Sequence, residues 1–191
     1  MARWEPNARE RLIHAAVELF AEQGYEATTV NEIAERAGGL TKMTFFRHFS
    51  DKREVLFAGQ EIHGRIAAEA IAEAPDPAMP LRMVGLALDE LAASFAQDRR
   101  EIARRLREVI AKSAELQERA ASKRAALGES MAQALRERGV PPLVADLAAE
   151  VGARAFYGAL ERWTSAADQR TLVDHAREIF GELKAAISVL E

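Results

Sequence analysis

Residues able to do chemistry are few and unevenly placed. Between Leu40 and Arg53 lie four fixed cations, Lys42, Arg47, Lys52 and Arg53, and one anion, Asp51; four minus one leaves +3 in a chain whose net charge is −4. Met43, Phe46 and His48 are interleaved with them. Cations beside apolar and aromatic side chains suit non-covalent recognition of a polyanion: the cations meet phosphates, and the apolar groups meet base edges and thymine methyls. The rest of the chain offers little else. Its four histidines, His14, His48, His63 and His175, are far apart, and none pairs with another at metal-ligand spacing. Cysteine is absent, which excludes disulfides and thiolate sites. HExxH, GxSxG, a phosphate loop and the ExxH pair of di-iron bundles are all missing. No metal or cofactor is expected. An enzyme and a helical adaptor that never touches DNA are the rival classes.

The elements that must position these residues read as helices. Alanine, leucine, glutamate and arginine dominate, aromatics are only 6%, and no stretch alternates as a half-buried strand would. A first helix is expected over 8–23, with Asn7 and Glu10 at capping-box spacing and Leu12, Ile13, Ala16, Val17 and Phe20 on one face. A second starts at Thr29 with Glu32 as its partner and is broken by Gly38-Gly39. A third spans 41–48; Phe45 and Phe49 face inward, which leaves Lys42, Met43, Phe46 and Arg47 outward. Ser50 or Asp51 is expected to cap a fourth helix reaching about residue 74. Prolines at 75, 77 and 80 interrupt it. Further helices follow over about 81–97, 99–112, 114–138, 143–165 and 169–189, making an all-α fold of about nine helices. The expected division is a helix-turn-helix domain over residues 1–53 and a second helical domain over residues 54–191. Three helices around a glycine turn also describe a plain bundle; an outward phenylalanine beside cations favours DNA.

The segment from Ala8 to Phe57 resembles the N-terminal domain of TetR-family transcriptional regulators. The matching stretches are Ala15-Ala16-Val17-Glu18-Leu19-Phe20-Ala21-Glu22-Gln23-Gly24-Tyr25, Thr28-Thr29-Val30-Asn31-Glu32-Ile33-Ala34, Gly39-Leu40-Thr41-Lys42-Met43-Thr44-Phe45-Phe46-Arg47-His48-Phe49 and Asp51-Lys52-Arg53-Glu54-Val55-Leu56. The resemblance implies that Thr29 caps the second helix and reaches a phosphate. It implies that Thr41 and Thr44 touch phosphate or base edges, and that Lys42 and Met43 read bases. His48 and Lys52 fall where the family contacts the backbone, Lys52 from the first turn of the fourth helix. Phe46 stands where tyrosine is common and, without a hydroxyl, packs on sugar or a thymine methyl. Two departures alter the pattern: Gly38-Gly39 adds a residue to the turn, and Met43 replaces a small residue.

The later helices suggest partners. Ala148, Gly152, Ala155 and Ala159 form a small-residue face, continued by Trp163. With Ile179, Phe180 and Leu183 of the last helix they are expected to pair two copies in a four-helix bundle. The resemblance implies the same homodimer, which would set two recognition helices on a near-palindromic double-stranded operator. An apolar small-molecule effector is expected among Met79, Met83, Leu86, Phe95, Leu106, Ile110, Met131 and Phe156, with His63, Tyr157 or Arg82 as polar anchors. Alternatively, all of these are plain core. No signal peptide or membrane span is visible, so the expected location is cytoplasmic. Repression is the expected mode, with activation as the alternative.

Overall fold

Side-chain oxygens set several helix starts in this chain. The computed structural model describes residues 8–58 and 60–189. Among these lie nine α-helices: α1 Ala8–Gln23, α2 Val30–Arg36, α3 Lys42–His48, α4 Gln60–Ala72, α5 Pro80–Ala93, α6 Arg100–Ala111, α7 Ala114–Glu137, α8 Pro142–Ser165 and α9 Leu172–Ser188. A single 3₁₀ turn, Gln97–Arg99, precedes α6. Thr29 and Glu32 form a reciprocal box at the start of α2, the Thr29 amide donating to Glu32 Oε2 at 2.7 Å and the Glu32 amide to Thr29 Oγ1 at 3.2 Å. Thr171 and Asp174 repeat it on α9. The Asn7 cap expected for α1 lies outside the described residues.

The fourth helix departs from expectation. Residues 51–58 form turns, with Leu56 donating to the Arg53 carbonyl and Phe57 to that of Glu54. Asp51 Oδ1 accepts from the amides of both Arg53 and Glu54. Val55, Leu56 and Phe57 are all buried. The Asp51 carboxylate takes the amides that follow it into a local turn in competition with helix, and the three apolar side chains reach the core from that turn.

Compact packing divides the chain differently from the expected cut after residue 53. One unit comprises the described residues up to Ala58 together with Glu101–Ala120; the other comprises the described residues of 59–100 and 121–191. The physical cause is in α6. Its face of Ile102, Leu106, Val109 and Ile110 joins the core of Leu12, Phe20, Ile33 and Phe45. Three short helices alone bury little apolar surface, and α6 adds to it. Leu106 and Ile110 therefore belong to this first core and not to an effector pocket.

In the second unit α4, α5, α8 and α9 pack with the later turns of α7, around Met83, Leu88, Leu91, Met131, Phe156 and Trp163. Arginines close two helix ends, where unpaired carbonyls carry partial negative charge. Arg138 donates to the carbonyls of Ile71, Ala72 and Ala74 at 2.8–2.9 Å, at the end of α4. Arg100 donates to those of Trp163, Ala166 and Asp168 at the end of α8.

Candidate nucleic-acid interface

The first unit presents α3 as a short rod anchored on one side only. Phe45 and Phe49 are buried, with ring centroids 5.2 Å apart. Lys42, Phe46, Arg47 and His48 are exposed, and Met43 is 70% exposed. The spacing explains this: 42, 43, 46 and 47 share one helix face, and 45 and 49 share the other. Thr41 caps the helix by accepting from the Thr44 amide at 3.1 Å, and the two hydroxyls are 3.1 Å apart. The Lys42 ammonium lies 5.9 Å from the Phe46 ring centroid. A ring that is 46% exposed thus sits under a cation.

The double glycine has a defined geometry. Gly38 and Gly39 both have positive φ, +94° and +73°, so a side chain at either would be strained. Amides 39 and 40 close the end of α2 by donating to the carbonyls of Glu35 and Ala34. Arg11 of α1 then clasps the turn, its Nε donating to Ala37 O at 2.7 Å and its Nη2 to Gly38 O at 3.2 Å. A Cβ on Gly38 would lie 1.9 Å from Arg11 Nη2. The bare α-carbon makes room for the guanidinium. Sequence reasoning passed over Arg11, whose partners are 26 and 27 residues away.

Charge in this unit is mostly committed internally. Arg36 pairs with Glu22 at 3.1 Å, which holds the Glu22 carboxyl below its usual range. Burial raises the Asp51 carboxyl, but hydrogen bonds from Arg53 and from the Glu54 amide outweigh it and leave it lowered. Arg53 also reaches Glu115 at 3.2 Å, and Arg119 donates to Glu54 at 2.6 Å. Burial, reinforced by Glu115, keeps the Tyr25 hydroxyl protonated, and it donates to Glu115 at 3.4 Å. Lys52 turns inward onto the carbonyls of Tyr25 and Thr28. It stands in a turn and not in the first turn of α4. Of the four cations in the recognition segment, Lys42 and Arg47 are the two that are exposed.

A family model described as bacterial regulatory proteins, tetR family, matches residues 12–58. Over these residues the chain is similar to the TetR family of regulators. The match ends at the last described residue of the first unit's N-terminal part. The chain is 57% identical over 47 residues to the HTH-type transcriptional regulator TcmR of Streptomyces glaucescens, a quarter (25%) of this chain and 20% of that one. It is 36% identical over 104 residues to the HTH-type transcriptional repressor Rv1474c of Mycobacterium tuberculosis, covering 52% of this chain and 51% of that one. The matched stretches therefore span between about a fifth and a half of these relatives. The crystal structure of the transcriptional regulator FadR from Bacillus subtilis in complex with stearoyl-CoA shares the fold, with a TM-score of 0.61 at 21% identity over 91% of this chain and 96% of that one.

The second unit, outside the matched residues, rearranges the sequence expectations. Ala148, Gly152, Ala155, Ala159 and Trp163 are buried inside the protomer. A Cβ on Gly152 would lie 2.6 Å from Val84 Cγ1 and 3.0 Å from Met131 Sδ, so the small-residue face admits α5 and α7 of the same chain. These side chains are already covered and leave no area for a partner copy. Phe180 is likewise buried, its ring against Gly85, and Ile179 packs on Gly158, while Leu183 is half-buried.

The expected effector residues also separate. Met79 is exposed at the cap of α5, whereas Met83 and Met131 are fully packed. His63, Phe95, Phe156 and Tyr157 do converge. His63 lies 5.1 Å from Phe95 and 5.9 Å from Phe156, and Phe156 lies 5.3 Å from Tyr157. Burial lowers the His63 imidazole to about 4, so it is neutral at pH 7. Arg124 sits 4.7 Å over the Tyr157 ring. A separate groove of about 310 Å³ runs between α5 and α9 and includes Arg82, Leu86, Phe180 and Lys184.

Proposed function

We propose that this chain is a ligand-responsive transcriptional regulator that binds a near-palindromic operator as a homodimer and represses until a small apolar molecule releases it. One observation carries the reading: α3 exposes Lys42, Met43, Phe46, Arg47 and His48 together, while Phe45 and Phe49 bolt its other side to the core. Lys42 and Met43 face base edges, Phe46 packs on sugar or a thymine methyl, and Arg47 and His48 meet the backbone. Thr29 and Thr41 cap α2 and α3, Thr44 bonds the Thr41 cap through its amide, and all three lie beside the phosphates. The match of residues 12–58 to the TetR family model and a relative named as a repressor support the same role.

The partner copy covers the apolar positions the protomer leaves open, Leu143 and Leu147 on α8 and Ile187 on α9. The effector site is the wall of His63, Phe95, Phe156 and Tyr157, with neutral His63 as its polar group. The stearoyl-CoA bound by the structurally similar FadR supports an apolar or acyl ligand.

A gel shift on DNA flanking the chain's own gene tests the core claim. Wild-type protein shifts the duplex, and Lys42→Ala weakens binding by about 1–3 kcal/mol and relaxes preference at one base pair. Equal binding by both proteins removes Lys42 from the reading surface. Reporter output that falls when the gene is deleted identifies an activator.

A further inference from the structure

Lys52 belongs to the cationic stretch around α3, yet its side chain points back into the unit. Its Nζ donates to Tyr25 O at 2.7 Å and to Thr28 O at 3.0 Å, and stands 4.1 Å from the Tyr25 ring centroid. Tyr25 and Thr28 are themselves buried and bracket the turn that leads into α2. Lys52 follows the last residue of α3, His48, by four positions. One ammonium therefore ties the entry of the first motif helix to the exit of the second.

An ammonium has three N–H donors and no acceptor. Two are directed at carbonyls, and an aromatic face takes up a further side of the cation. Reaching a phosphate outside would mean leaving both carbonyls, each of which would lose a charge-assisted partner in a buried turn. The neighbouring charges do not compete for it: Asp51 is bonded to Arg53, and Arg53 to Glu115.

We propose that Lys52 is a positioning residue of the DNA-reading head, acting through the turn before α2 and hence on α3, and not a phosphate contact. The proposal rests on the DNA-binding reading above. It reassigns a cation that the resemblance alone would place on the DNA backbone.

Binding to the same flanking duplex and to an unrelated duplex is measured by fluorescence anisotropy over a salt series, well below each protein's melting temperature. Lys52→Met keeps the stem and removes the ammonium. Its ratio of specific to non-specific affinity falls by about tenfold or more, since both charge-assisted hydrogen bonds are lost and one alone is worth about that much. Its slope of log K against log salt stays at the wild-type value. Lys52→Arg can donate to both carbonyls and stack on Tyr25, so it restores the ratio. A Lys52→Met slope smaller by about one unit, with the ratio unchanged, is the mark of a lost phosphate contact and overturns the proposal.

Amine labelling of wild-type protein decides the matter if Lys52→Met does not fold. Lys52 reacts slowly with or without duplex, whereas Lys42 reacts fast until duplex covers it. A Lys52 as reactive as Lys42 in the free protein, and shielded only by duplex, refutes the assignment. Wild-type protein that binds no duplex removes the DNA reading itself, an outcome seen before any variant is made.

Discussion

Helix α3 and the start of α8 both expose large apolar side chains, and their neighbours differ. On α3, Met43 and Phe46 lie among Lys42, Arg47 and His48. At the start of α8, Leu143 is 72% and Leu147 61% exposed, and the residues interleaved with them include Asp146, with Glu150 one turn on. Asp146 is bonded to Arg136 of α7, so no free cation is presented there by that pair. Apolar exposure alone does not name a partner. Beside cations it suits a polyanion with methyl groups in its groove; beside paired or acidic groups it suits another protein surface. The contrast shows why one helix is read as facing DNA and the other as facing a second copy of the chain.

The largest test of the contrast is the double change Leu143→Glu with Leu147→Glu. Each leucine contributes about 1.5–3 kcal/mol when fully covered, and a two-fold interface counts each of them twice. The proposed interface predicts that in analytical ultracentrifugation the variant sediments as a monomer where the wild type sediments as a pair, with protomer helicity retained. A variant that still sediments with wild-type protein would move the interface away from α8's first turns.

Gly152→Val should act oppositely, on folding and not on assembly. Its new side chain meets Val84 and Met131, and overpacking of this kind costs about 1–3 kcal/mol. The measurement is a denaturant midpoint on both Gly152→Val and the double glutamate variant. A dimer that falls apart while the midpoint is unchanged would return Gly152 to the interface.

The smallest effect sharpens the DNA side. Gly38→Ala forces a left-handed residue to carry a Cβ and displaces Arg11, at about 1–2 kcal/mol for the backbone alone. The first unit should melt earlier, and duplex affinity should fall because the turn before α3 opens. Gly39→Ala meets the same positive φ but open space, so it should cost less. Equal losses in the two variants would mean that Arg11 is not the clasp.

Much of the architecture was legible because it is written in local signals. Thr29 with Glu32, Thr41 before a short amphipathic run, and paired prolines before α8 act within one or two turns, and the helices start there. The inward Phe45 and Phe49 followed from spacing alone. What sequence reading misplaced was long-range. Ala148, Gly152, Ala155 and Ala159 make a close-packing face whatever covers it, and the sequence carries no sign of whether α5 and α7 or a partner will do so. The Lys52 ammonium likewise has the same composition on a phosphate as on two carbonyls.

The sequence by itself determined the helices other than the start of α4, the glycine turn between α2 and α3, and which side of α3 is greasy, because capping, φ and helical period depend on residues a few positions apart. Only tertiary structure decided that α6 completes the first core, that the small-residue face of α8 is internal and that Lys52 closes a turn 24–27 residues behind it. Those outcomes depend on which surfaces meet after collapse, and distant partners leave no periodic trace along the chain.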